Sequence, residues 1–173
     1  MTLCSNTQQM AEIMKRFIVA GAIGAFSAIS AQAGNAVQPA SPVGEWLVHD
    51  GDAHIRIVPC GTSLWGILSW EKAPGGKDEN NPDPTKRNRP LLGAPILIDM
   101  KPGKGRWDGQ VYNAENGSMY TSHISLAGDN VLKIEGCVLG GIFCGGEDWT
   151  RVPVSADKSA ATPQQICAKV VGK

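Results

Sequence analysis

Three histidines, His49, His54 and His123, and four cysteines, Cys60, Cys137, Cys144 and Cys167, are the side chains best suited here to nucleophilic, acid–base or metal chemistry. Their spacing argues against all three. The histidines fall on separate segments with no HExxH or comparable ligand spacing, and the cysteines contain no CxxC pair. No local nucleophile signature surrounds a serine or cysteine. "DGDAH" at 50–54 starts like a calcium loop but lacks the downstream Gly and Glu, so a hairpin turn accounts for it. "NGS" at 116–118 fits a glycosylation acceptor, yet Asn-Gly between alternating segments reads first as a type I′ turn. No catalytic residue, metal ligand or cofactor is assigned.

Two sets of residues keep a binding chemistry. The first lies in "NNPDPTKRNRPLLGAPIL", residues 80–97. Asp83-Pro84 is a helix-start signal, and Pro90 ends the short helical turn that follows. Leu91 and Leu92 call for burial, which the open end of a barrel offers. The segment is then either a plug or a lid. As a plug, Arg87 and Arg89 pair with carboxylates such as Asp83 or Asp99. As a lid, Asn81, Arg87 and Arg89 donate to an anionic ligand head, a task suited to the forked guanidinium. The second set is aromatic: Trp46, Trp70, Trp107 and Tyr120 are candidate walls of an apolar cavity. Tyr120, Ser122, Ile124 and Leu126 share one strand face, expected to point inward, which leaves His123 outward.

These side chains need a scaffold, and the sequence reads as short strands. "VGEWLVH" runs into Asp50-Gly51, and "AHIRIVP" alternates cleanly. "SLWGILSW" is more continuously apolar. "PILIDM", "GRWDGQVYN", "SMYTSHISLAG", "NVLKIEGCV" and "GEDWTRV" follow, separated by Gly-, Asn- and Asp-bearing turns. No long segment has helical periodicity. The fold class is all-β: eight antiparallel strands closing into a barrel, with a short helical turn in one long loop. A two-sheet sandwich is the alternative. "PQQICAKVV" near the end is expected to form one or two helical turns.

The N-terminus has the parts of an export signal. Lys15 and Arg16 precede the apolar stretch Phe17–Ile29, and Ala31-Gln32-Ala33 supplies a cleavage site, so the cut falls between Ala33 and Gly34. Met1–Ile13 carries no targeting logic, which points to Met14 as the true start. The apolar run is short of the roughly 20 residues a membrane span needs. The expected organisation is a signal region at 1–33, a flexible leader at 34–42, a barrel at 43–153 and a tail at 154–173. The location is periplasmic or secreted.

Charge and cysteine content agree with export. Lys plus Arg and Asp plus Glu each number 16, so neither a nucleic-acid surface nor a polybasic membrane patch is present. Cys4 precedes the signal, which leaves an even four cysteines in the mature chain and suggests disulfides. Cys137 and Cys144 flank the glycine-centred loop "VLGGIF" and can bridge it. Cys60 and Cys167 then pair with each other or both stay free.

"PVGEWLV", "RIVPCG", "NPDPTKRNRPLLGAPIL", "GRWDGQVYN" and "GCVLGGIFCGGEDWTRV" together resemble the exported bacterial family called domain of unknown function 2147, over residues 42–152. The resemblance implies a lipocalin-like β-barrel, a periplasmic or secreted location and no established activity. Gly44-x-Trp46 is similar to the lipocalin Gly-x-Trp signature, for which Arg151 is the matching basic residue from the last strand. The family usually carries a second cysteine shortly after Cys60, whereas this chain reads "CGTSLWG" and has Cys167 in its tail. That departure implies a replacement bridge, Cys60–Cys167. The expected function is an envelope protein that binds or carries a small apolar or amphipathic ligand. The alternatives are a ligand-free interaction module of the envelope, with its protein partner unknown, and a hydrolase using rim carboxylates.

Overall fold

The computed structural model describes residues 40–153 and 161–172, which belong to one compact unit. The signal segment, most of the leader and residues 154–160 of the tail lie outside the described residues.

Eight antiparallel strands follow one another around a closed barrel: β1 (Gly44–Leu47), β2 (Ala53–Cys60), β3 (Ser63–Glu71), β4 (Pro95–Pro102), β5 (Trp107–Asn113), β6 (Ser118–Leu126), β7 (Val131–Val138) and β8 (Phe143–Val152). Pairing of β1 with β8, Trp46 opposite Arg151, closes the ring and leaves no free edge. The alternation expected for β2 sends Ile55 and Ile57 to the interior core and leaves His54 and Arg56 half-buried outside. Turns sit where the sequence supplies left-handed backbone: Gly51, Gly61, Gly117 and Gly128 all have positive φ.

The continuously apolar β3 is explained by what lies outside it. A nine-residue helix, α1 (Pro163–Val171), packs Ile166 and Val170 onto Val58, Cys60 and Ile67 on the outer wall. Burying each of these helix side chains contributes about 1.5–3 kcal/mol. Thr162 caps the helix reciprocally with Gln165, and Pro163 occupies its first turn. A disulfide between Cys60 and Cys167 ties it to β2 across 107 positions of sequence. The tail therefore forms a longer helix than its one or two expected turns.

At the end where the chain enters, the barrel is filled. Trp46 is fully buried, and its indole donates to Pro42 O at 2.8 Å. The Arg151 guanidinium lies 4.1 Å from the centre of that ring. It also donates to the carbonyls of Ser41 (2.7 Å), Val43 (3.0 Å) and Asp129 (2.6 Å). Gly44 makes this possible twice over. Its φ of +140° suits glycine, and a Cβ there would lie 2.8 Å from Arg151 Nη1. Ser41 and buried Pro42 are thus held against the barrel rather than being part of a flexible leader.

The insertion between β3 and β4 differs from its expected role. Asp83 does cap a short 3-10 turn at Pro84–Lys86, accepting from Thr85 N. The segment does not line the barrel opening, however; it packs beside it, against β4, β5 and the β5–β6 turn. Asn80 donates to Glu115 O at 2.7 Å, and fully buried Asp78 accepts from the Tyr112 hydroxyl at 2.5 Å, from Asn81 at 2.7 Å and from Arg89 at 2.8 Å. Arg89 therefore pairs with Asp78. Asp83 is taken by Lys86 and Asp99 by Lys101. Arg87 donates to Asn81 O. Leu91 packs against the core, whereas Leu92, expected to be buried with it, is 52% exposed.

Candidate functional site

The end opposite the Trp46–Arg151 cap holds an open cleft of about 710 Å³. Strand parity explains where it comes from. Facing β7 and β8 inside the barrel, the register pairs Leu132 with Trp149, Ile134 with Glu147, Gly136 with Gly145 and Val138 with Phe143. The pair Gly136–Gly145 puts no side chain into the interior, so the wall recedes there. A Cβ on Gly145 would meet nothing within 4 Å. Val48, Ala53, Ile55, Leu68, Ile96, Val111, Tyr120 and Ile134 complete an apolar lining. The Cys137–Cys144 disulfide staples the β7–β8 hairpin, and Cys144 itself lines the cleft.

The polar lining has one sign. Asp50 and Asp52 from the β1–β2 turn, Glu115 from the β5–β6 turn and Glu147 from β8 all border the cleft, with no Lys, Arg or His among the lining residues. The Trp149 indole donates to Glu147, which holds both side chains at the wall. Deeper on the same inward face as Tyr120 lies Ser122, opposite Gly109 on one side and Gly136 on the other. Its hydroxyl is buried and has no hydrogen-bond partner among the described residues.

The four aromatic wall candidates separate. Tyr120 lines the cleft, and its hydroxyl accepts from Asn116. Trp46 and Trp107 face inward but pack the core away from the cleft, Trp107 beside Pro102 and Ile124. Trp70 is outside, 42% exposed, with its ring 4.5 Å from that of His54. The cause is a bulge. Ile55 pairs with Leu68 but His54 pairs with Trp70, and the skipped Ser69 reverses the side to which the strand's end points. Asn81 and Arg89 border a different, smaller pocket of about 320 Å³ between the insertion and the wall, and Arg87 borders neither. Alternation identifies faces but not height along the barrel, so by itself it does not single out Trp149 as a wall of the cleft. The facing glycines are the signal that finds it, since they mark the strand pair beside the empty volume.

The ionised groups around the insertion are settled by their contacts. Burial alone would raise the Asp78 carboxyl, but hydrogen bonds from Tyr112, Asn81 and Arg89 outweigh it and hold its pKa below the usual 3.8. Tyr112 is pushed up to about 12, by burial first and then by its bond to the Asp78 carboxylate. Asp83 is held at about 2 by hydrogen bonds from Thr85 and Lys86. On the outer wall, Ser69 and Arg56 both donate to Glu45, and His54 Nδ1 is 3.8 Å from the same carboxylate. The serine engages the acid rather than the imidazole, which is not the order a serine nucleophile needs. Among the described residues, no three His, Cys, Asp or Glu side chains are placed to share a metal ion.

A family model described as "Uncharacterized protein conserved in bacteria (DUF2147)" matches residues 44–151. No curated protein sequence matches the chain. Among solved structures, the chain is similar to protein HP1028 from the human pathogen Helicobacter pylori, described as belonging to the lipocalin family. The TM-score is 0.59 at 19% identity, over 65% of this chain and 84% of that one. This likeness is one of fold: an eight-stranded antiparallel lipocalin-like barrel.

Proposed function

This chain belongs to the DUF2147 family of bacterial proteins, and we propose that it is an exported envelope protein that holds a small apolar or amphipathic molecule in the cleft of its barrel. The observation that carries this reading is the inward pair Gly136–Gly145, beside an apolar volume within the range of small-molecule sites. A barrel that served only as a scaffold would fill that position with side chains, as the Trp46 end does. Export is supported by the charged, apolar and small-residue succession at residues 14–34, and by two disulfides, which persist in oxidising compartments. Tyr120 and Trp149 are the aromatic walls of this site.

The test is native mass spectrometry of protein exported through its own signal, compared with Gly145→Leu. A discrete small-molecule adduct on the parent chain, absent from the variant, is the expected result. Bare chain in both, with a variant as stable as the parent, would argue for a barrel without cargo.

A second reading has its own support. Val138, Leu139, Ile142 and Phe143 crown the stapled β7–β8 hairpin, with Leu139 70% and Ile142 75% exposed. Such an apolar tip suits contact with another envelope component. Retention of an unlabelled envelope extract on the parent protein but not on Leu139→Ser/Ile142→Ser would favour it.

A further inference from the structure

Resting on the ligand-carrying reading, we propose that the cleft selects an amphiphile whose polar head is a cation, an ammonium or quaternary ammonium group, and whose body carries a second hydrogen-bonding group deeper in the barrel. The head's sign follows from the rim. Asp50, Asp52, Glu115 and Glu147 border the cleft, no basic side chain does, and none of the four is in an ion pair among the described residues. The molecule spends its cations elsewhere: Arg56 on Glu45, Arg89 on Asp78, Lys133 on Asp148 and Lys101 on Asp99. The rim carboxylates do not converge as the ligands of a metal ion would. They are spread over two turns and a strand around an apolar interior, which fits a bulky organic cation on an apolar body.

The buried Ser122 hydroxyl supplies the second contact. It faces the interior between Gly109 and Gly136, directly beneath the cleft: Gly136 is part of the cleft lining, and Ser122 lies one layer behind it. A buried hydroxyl without a partner is costly, and a ligand hydroxyl or carbonyl reaching past the Gly136–Gly145 gap satisfies it. An anionic head, the partner to which Arg87 and Arg89 would have pointed, meets only like charge among the charged side chains that line the cleft.

The probes are dodecylamine, dodecyltrimethylammonium, ω-hydroxydodecylamine, dodecanol and dodecyl sulfate, each below micelle formation, followed by intrinsic tryptophan fluorescence and calorimetry. Both cations are expected to bind about tenfold or more tightly than dodecyl sulfate at low salt, with the gap narrowing as salt screens the rim. The terminal hydroxyl should strengthen binding several-fold in the parent and not in Ser122→Ala. Asp50→Asn/Asp52→Asn/Glu115→Gln should shrink the cation–anion gap to the share owed to Glu147 and leave dodecanol unchanged. Equal or tighter binding of dodecyl sulfate, or a gap that the triple variant does not reduce, overturns the cationic head while dodecanol binding keeps the carrier reading intact. Absence of binding by every probe, dodecanol included, overturns both.

Discussion

The two ends of this barrel are built to opposite rules. At the closed end, Arg151, Trp46 and Gly44 fit so closely that a single Cβ would strike the guanidinium. At the open end, Gly145 faces the interior with nothing around the place its Cβ would occupy. The closed end also holds Cys60, whose bridge to Cys167 spans 107 positions, whereas the bridge at the open end spans seven. On the chain-entropy model the long bridge stabilises by about 5 kcal/mol and the short one by about 2 kcal/mol. Stability is concentrated where the chain enters, and freedom to accept a guest where the hairpins turn. A stable frame at one end lets the other keep unfilled volume without collapsing.

Removing the long bridge by Cys60→Ser/Cys167→Ser should cost about 3–5 kcal/mol in urea denaturation, against about 2 kcal/mol for Cys137→Ser/Cys144→Ser. Equal costs would remove the asymmetry. Trp46→Ala should cost about 3–5 kcal/mol by leaving a cavity under Arg151. The same truncation at Trp149, which already borders open volume, should cost less. Gly44→Ala should destabilise by about 1–3 kcal/mol through backbone strain and displacement of Arg151. Gly145→Ala, with open space around it, should change the unfolding midpoint little.

The insertion gives a pH test. Asp78 has its carboxyl held below 3.8, so its contribution is full above that value and is lost as pH falls through the lowered folded pKa. Tyr112 is raised to about 12, so its neutral form supports the fold below pH 10 and that support fades as pH rises toward 12. Tyrosinate absorbance should show one phenol ionising near 12. Tyr112→Phe should remove that step and cost about 1–3 kcal/mol, because Asp78 stays buried with one donor fewer. Retention of the late-titrating phenol in that variant would exclude Tyr112 as its source.

Much of the frame was legible from residue order. Turn residues marked the hairpins, and alternation placed Ile55, Ile57 and Ile124 inside; the Gly44-Trp46-Arg151 set came through the family resemblance, and Trp46, expected as a cavity wall, packs the closed end instead. Three things were not legible, each for a physical reason. The Ser69 bulge reverses the sense of alternation, so Trp70 faces out although Leu68 faces in. Distance along the barrel axis leaves no periodic trace, so Trp46 and Trp107 share the interior with Trp149 without sharing its cleft. The partners of Arg89 depend on where a long loop folds back, and Asp78, eleven positions away, reaches it before Asp83 or Asp99 does.

The seam between β1 and β8 has a consequence for how the protein comes into being. Its first and last strands are neighbours, so no chain emerging from the N-terminus can complete the ring until nearly all of it has been delivered. Until then the β1 edge has unpaired backbone groups and the interior leucines and isoleucines face water, the state in which β-proteins aggregate. High contact order makes the closing step slow, and the bond from Cys60 to Cys167 follows only when α1 arrives. The nascent barrel is thus most in need of a chaperone just before its last thirty or so residues appear.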